Sequence, residues 1–270
     1  MECCYKYFNV ELSDYIAEVI FNRPDKANSL HVPAWEELKE VFDDLSNNDK
    51  ARAIILRGEG KHFCAGMDLQ ALMSVPAGSD SNCEARKRLH IRKFIIKIQE
   101  IITSIEDCRK PVIAAVHKAC VGGGLNIITA CDMRYCTDDA FFSIKETDLG
   151  LVADIGVLQR MPDMINPGIM TELAFTGRQF NGPEAKEIGL VTESFDTQES
   201  MLNHVRDLAK TISEKSPLVM QGIKEMLLYK RDHSTQDAMQ YMASWNAAML
   251  MSKDLYESFE AYMAKRKPVY

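Results

Sequence analysis

The sequence lacks the marks of a metal-bound or disulfide-stapled scaffold. Its 8 cysteines, at 3, 4, 64, 83, 108, 120, 131 and 136, form no C-x-x-C pair, and several lie in apolar runs. Reduced, buried thiols are expected; a zinc site would need tighter Cys/His clustering. No apolar run reaches membrane-spanning length. Met1–Tyr7 opens neither a signal peptide, since the apolar core segment is missing, nor an arginine-rich transit peptide. The final Lys267-Pro268-Val269-Tyr270 is no Ser-Lys-Leu address. These absences make the cytoplasm the default expectation. Positive charge is also short, with Lys+Arg 32 against Asp+Glu 39 and a net charge of -7. That excludes general nucleic-acid binding while leaving room for a local basic patch toward a phosphate-bearing ligand. There is no internal repeat, no low-complexity segment and no G-x-G-x-x-G. Neither the histidines, at 31, 62, 90, 117, 204 and 233, nor the 15 methionines show catalytic spacing.

What is present suits one large globular domain, or a domain with an appendage: 270 residues, 46% hydrophobic. Tyr15–Asn22 alternates as a strand does, and Ala51–Arg57 is a continuous apolar run of the kind covered on both faces. Pro33–Leu45 has helical spacing at Trp35, Leu38, Val41, Phe42 and Leu45, and Arg86–Ile105 is a long amphipathic helix. Ser74–Asn82 is small and polar, a surface stretch. Beyond Gly156, helical patterns cover roughly 156–162, 168–176, 183–188, 197–214, 217–230, 234–248 and 252–265. One short strand, Leu190-Val191-Thr192, interrupts them. Strands alternating with helices, followed by helices alone, predict an α/β core with a helical C-terminal appendage.

Arg109 to Gly156 carries the chemistry. A strand, Pro111–Val116, runs through Val121-Gly122-Gly123-Gly124 into a helix, which leaves bare N–H groups at a positive helix end. Glycine there lets a ligand approach the backbone. Two carboxylates follow, Glu146 and Asp154. Glycine-borne donors for an oxyanion beside two proton-moving acids is one reading. An ordinary helix start, a solvated Glu146 next to Lys145 and an N-capping Asp154 is the plain alternative.

Four ordered pieces resemble the crotonase, or enoyl-CoA hydratase/isomerase, superfamily: Arg23-Pro24 with Ala27-Asn28-Ser29-Leu30, Phe63–Leu69, Val121–Gly124 and Glu146–Gly156. Ala261–Lys267 adds a fifth. The resemblance implies a crotonase-like spiral of ββα units, with residues 1–195 as the core and active site. It implies that 196–270 is a helical region for trimerisation, giving a homotrimer or a hexamer built as a dimer of trimers. The 145–160 segment is most similar to the Δ3,5-Δ2,4-dienoyl-CoA isomerases of fatty-acid oxidation. The expected partner is therefore an acyl-CoA substrate, with no metal and no separate cofactor.

By the same resemblance, the amides of Met67 and Gly123 hold the thioester oxygen, Asp154 takes a proton at C2 and Glu146 serves C6. The reacting carbons are far apart, so two acids with separated pKa values suit the task. Asn126 stands where hydratases carry a second glutamate and dienoyl-CoA isomerases an aspartate. Asparagine cannot take a proton at neutral pH, which counts against hydration. Lys26, Ala27, Cys64, Ala65 and Asp68 are expected around the CoA moiety, with Tyr262 and Lys265 reaching its nucleotide part, in one option from a neighbouring subunit. A Δ3,Δ2-enoyl-CoA isomerase using Glu146 alone, an enoyl-CoA hydratase and a non-catalytic acyl-CoA-binding trimer are the alternatives.

Overall fold

The computed structural model describes residues 5–74 and 82–270; Cys3, Cys4 and residues 75–81 of the small polar stretch lie outside it. Strands β1 (Phe8–Ser13), β2 (Ile16–Phe21), β3 (Ala53–Gly58), β4 (Val112–Val116), β6 (Met133–Thr137) and β9 (Glu193–Phe195) form one sheet in the order β1-β2-β3-β4-β6-β9. Only β1 is antiparallel to its neighbour. A smaller sheet holds β5 (Ala119–Val121), β7 (Phe141–Ser143) and β8 (Phe180–Asn181).

The chain alternates between these sheets. β4 leads to β5 and then to α4 (Gly123–Thr129); β6 leads to β7 and on to α5 (Val157–Arg160). Isolated bridges Cys64↔Cys120 and Leu30↔Met67 continue the same stacking back to the turns that follow β3 and β2. This is the expected spiral of ββα turns.

Alternate residues of the central strands enter two cores. Ile54 and Leu56 of β3 join a cluster with α1 (Val32–Ser46) and α3 (Glu84–Asp107), which includes Trp35, Leu38, Phe42 and Ile102. Ala53 and Ile55 face the other way, toward Met201, Val205 and Ala209 of α8 (Gln198–Ser213). Each such buried Met or Val contributes about 1.5–3 kcal/mol. Burial on both faces explains why β3 and β4 read as continuous apolar runs. The cysteines at 64, 108, 120, 131 and 136 are buried free thiols, and Cys83 is exposed. Desolvation pushes the Cys64 thiol up to about 12, so it stays protonated.

The late strand differs from expectation. Leu190 and Val191 are buried loop residues, and the ladder to β6 begins only at Glu193. The apolar pair that suggested a strand fills the core without joining the sheet.

Past α8 come α9 (Pro217–Lys230), α10 (Thr235–Met249) and α11 (Lys253–Ala264). Each starts on a serine, at 216, 234 and 252, whose hydroxyl accepts an amide of the first turn. Lys224 pins α9 to the spiral. It is 6% exposed, and its Nζ donates to Asp132 at 2.9 Å and to the Lys110 carbonyl at 3.1 Å. Asp132 also accepts the Val112 amide at the head of β4, at 2.7 Å. Removing one partner of such a buried pair leaves a bare charge. Lys224→Ala is therefore expected to lower the unfolding free energy by about 3 kcal/mol, read from urea denaturation; an unchanged midpoint would refute the pin.

Candidate active site

Successive spiral turns bring two backbone amides together. Gly66 lies after β3, with φ +84°, and a Cβ there would sit 2.7 Å from the Gly123 nitrogen. A Cβ on Gly123 would in turn lie 3.3 Å from the Met67 nitrogen. No side chain fits at this crossing. Gly122, with φ 51° and ψ -121°, turns the chain into α4, a conformation L side chains avoid. Gly123 opens the helix, so its N–H lacks an intrahelical acceptor. Neither the Met67 nor the Gly123 amide has a protein acceptor among the described residues. Two unspent donors therefore lie close together at this crossing. Trp35, read only as a core residue, packs its ring 3.0 Å from the same Gly123 Cβ position. Its indole nitrogen is buried without a partner.

Glu146 stands next to this crossing. Its Oε1 accepts from the Asn126 amide at 3.0 Å, while Oε2 is buried with no hydrogen-bond partner. Lys145 pairs with Asp148 at 2.6 Å, so Glu146 is not the solvated neighbour of a lysine. Burial raises the Glu146 carboxyl above the usual glutamate range. Hydrogen bonds from its own backbone and from Asn126 oppose that rise, and the charge of Asp154 adds to it.

Asn126 is 1% exposed and fully engaged. Its Nδ2 donates to the Gly122 carbonyl and to Glu146, both at 3.0 Å, and its Oδ1 accepts the Val157 amide at 2.6 Å. The Val157 amide requires an oxygen opposite it, which fixes the orientation of the side-chain amide. Asn126 joins the oxyanion turn, the first acid and the start of α5.

Asp154 is an exposed residue in a segment without regular structure. It is not an N-cap, because Gly156 caps α5 and no side chain bonds there. Partial burial nonetheless raises its carboxyl above the usual aspartate range. Burial therefore pushes both acids the same way. What distinguishes them is Glu146's donor from Asn126 and its sensitivity to the charge on Asp154.

The residues expected at the CoA moiety divide. Lys26 is exposed, and its amine makes no hydrogen bond or ion pair among the described residues; Ala27 turns left-handed at φ 49° and its carbonyl accepts the Ala65 amide at 2.9 Å. Beneath them, buried Asn28 ties the loop to the carbonyls of Glu59 and His62 at 2.9 and 2.7 Å. Cys64 is fully buried, with its thiol turned to the Asn28 carbonyl at 3.3 Å, so it offers a ligand no side chain. Asp68 accepts the Gln70 amide at 3.0 Å at the head of α2 (Leu69–Ser74) and faces Arg23 at 3.7 Å. Tyr262 and Lys265 are exposed at the end of α11, and no hydrogen bond or ion pair among the described residues joins them to the Lys26 loop. Among the described residues, no group of three or more His, Cys, Asp or Glu could hold a metal ion, and no helix is long and apolar enough to cross a membrane.

Comparisons with known proteins identify relatives along nearly the whole chain. A family model described as enoyl-CoA hydratase/isomerase matches residues 11–270. The chain is 47% identical over 254 residues to a Δ(3,5)-Δ(2,4)-dienoyl-CoA isomerase, named peroxisomal, of Arabidopsis thaliana, covering 94% of this chain and 91% of that one. It is 44% identical over 256 residues to the enzyme of that name, mitochondrial, of Mus musculus, covering 93% and 77%. A crystal structure of an enoyl-CoA hydratase from Bacillus anthracis superposes with a TM-score of 0.87 at 28% identity, covering 98% of this chain and 99% of that one. The cytoplasmic expectation is overturned, since these relatives are named for the peroxisome and the mitochondrion. It rested on absent address signals alone. A match along nearly the whole length, a shared spiral and a pair of amides converging beside a buried glutamate lead to one conclusion: this chain belongs to the enoyl-CoA hydratase/isomerase family.

Proposed function

We propose that this protein isomerises 3,5-dienoyl-CoA to 2,4-dienoyl-CoA. The observation that carries the reading is a buried, unpartnered carboxyl oxygen on Glu146, which feels the charge of Asp154, beside two unspent backbone amides. The names of relatives at 44–47% identity support it.

In this mechanism the Asp154 carboxylate removes a proton from C2. The electron pair shifts so that the C3–C4 and C5–C6 double bonds become C2–C3 and C4–C5. The thioester oxygen carries the transient negative charge, held by the Met67 and Gly123 amides, and such donors supply roughly 3–4 kcal/mol each. Glu146 delivers a proton to C6. Each acid ends in the other's starting state. An ionised Asp154 raises Glu146, which favours this division into base and acid. Asn126 has both amide hydrogens engaged and no proton to exchange, which disfavours hydration.

We extend the proposal to assembly. The core is 1–195, and 196–270 serves a homotrimer or a dimer of trimers. Leu227, Met239, Phe259 and Met263 stand exposed on α9–α11, apolar side chains of the kind that an assembly would cover. The nucleotide part of CoA meets Lys26, Ala27 and Ala65, with Tyr262 and Lys265 contributed by a neighbouring copy.

Purified protein offered 3,5-dienoyl-, 3-enoyl- and 2-enoyl-CoA tests the chemistry. Conversion of the diene, followed by conjugated-diene absorbance, is expected to fall by about 10²–10⁴-fold in Asp154→Asn and in Glu146→Gln. A harmless Asp154→Asn with a dead Glu146→Gln would replace this reading by a single-acid Δ3,Δ2 isomerase. Acyl-CoA binding with all three substrates inert would leave only a binding module.

Stability provides a second prediction. Because the folded chain holds Glu146 above its ordinary value, ionisation destabilises it as pH rises from that value through the raised one. Glu146→Gln removes this penalty. The variant is expected to melt above the parent at pH 7–8, with the difference vanishing below pH about 4, where the acid is protonated folded and unfolded. A lower melting temperature at pH 8 would contradict the burial argument.

A further inference from the structure

The backbone that carries Asp154 makes few hydrogen bonds, although Ala153 and Ile155 on either side of it are buried in the core. At one end the Leu151 amide donates to the Glu146 carbonyl at 3.0 Å, and at the other the Val157 amide meets Asn126. Between them, among the described residues, one hydrogen bond reaches the backbone of Val152–Ile155 from another element. It comes from α3: Gln99 Nε2 donates to the Asp154 carbonyl at 2.6 Å.

The same helix holds the next stretch. Arg160 Nη2 donates to Thr103 Oγ1 at 3.0 Å and to Glu106 Oε2 at 2.8 Å, with Nε on the same oxygen at 2.9 Å. Arg231, at the end of α9, pairs with the other Glu106 oxygen. Positions 99, 103 and 106 are four and three residues apart and share one face of α3. These side chains line a cleft behind the segment, together with Gly156 and Gln159. A polar stripe on the long helix is thus spent on one short loop.

The buried side chains of Ala153 and Ile155 fix the path of this segment, but one hydrogen bond sets the carbonyl of Asp154 between them, and a shift of about 1 Å in a reacting group costs on the order of 10²-fold in rate. We propose that Gln99 is a positioning residue. By holding the carbonyl of Asp154, it keeps that residue's carboxyl over the reacting carbon, while the Thr103–Arg160–Glu106–Arg231 contacts anchor the far end of the segment. The proposal rests on the reading of Asp154 as the base. It adds a role for α3 that the chemistry alone does not require.

Non-additivity tests it. Gln99→Met keeps the length and helix preference of the side chain and deletes the donor. Diene turnover is expected to fall about tenfold, with KM within about twofold of the parent and an unchanged far-UV circular dichroism spectrum. In the Asp154→Asn background the same substitution is expected to change the residual rate by less than about twofold, because the group it positions is gone. An equal loss in both backgrounds, a rise in KM alone or no loss at all would overturn the role of Gln99. An Asp154→Asn variant as active as the parent would overturn the reading of Asp154 instead, and the positioning role with it. Gln99→Lys restores a donor of similar reach and is expected to recover turnover relative to Gln99→Met; failure to do so would count against the carbonyl contact.

Discussion

The side-chain amide of Asn126 is the constraint on which the site depends. Three groups that differ in sequence by up to 35 residues meet on it: the Gly122 carbonyl, the Glu146 carboxyl and the Val157 amide. Each bond is an ordinary one, worth about 1 kcal/mol net in the neutral cases and more to a carboxylate. Their joint effect is geometric. The turn into α4, the first acid and the entry to α5 cannot shift separately. Because Asn126 uses one oxygen of Glu146, the other remains without a protein partner. A buried polar atom left in that state is costly, and such costs concentrate where a ligand is met.

The second constraint is the spiral itself. The turns from β4 and β6 leave the large sheet, pass the small one and enter a helix, and bridges at Leu30↔Met67 and Cys64↔Cys120 stack the earlier turns on them at equivalent points. Met67 and Gly123 occupy such points, one turn apart. The donors converge because the architecture repeats, with no dedicated side chain at either position. The demand falls instead on side-chain volume, as the Gly66–Gly123 crossing shows.

Much of this was legible in the residues. The long helices appeared from apolar spacing, and α9 runs over the span predicted for it, Pro217–Lys230. β3 and β4 appeared because both of their faces are covered. The three-residue strands β5 and β7 and the two-residue β8 did not, since so few residues define no period. Leu190-Val191 misled because burial and ladder pairing are separate properties. At the site, Glu146, Asn126 and the glycine turn could be named from their motifs. The embedding of Cys64 and the pairing of Asp68 with Arg23 could not, because both depend on neighbours distant in sequence. Gln99 gave no signal either. It is a polar residue in an amphipathic helix, and only the fold brings the Asp154 carbonyl to it.

The placement of α8 and Lys224 bears on how such a chain can be cut or recombined. The back of the large sheet is roofed by α8, and the head of β4 shares its aspartate with a lysine from α9. A break after β9 would strip one face of the sheet and leave Asp132 facing emptied space. A new tail joined upstream of Lys224 would unroof the sheet or strand Asp132, so the graft point has to lie beyond that lysine.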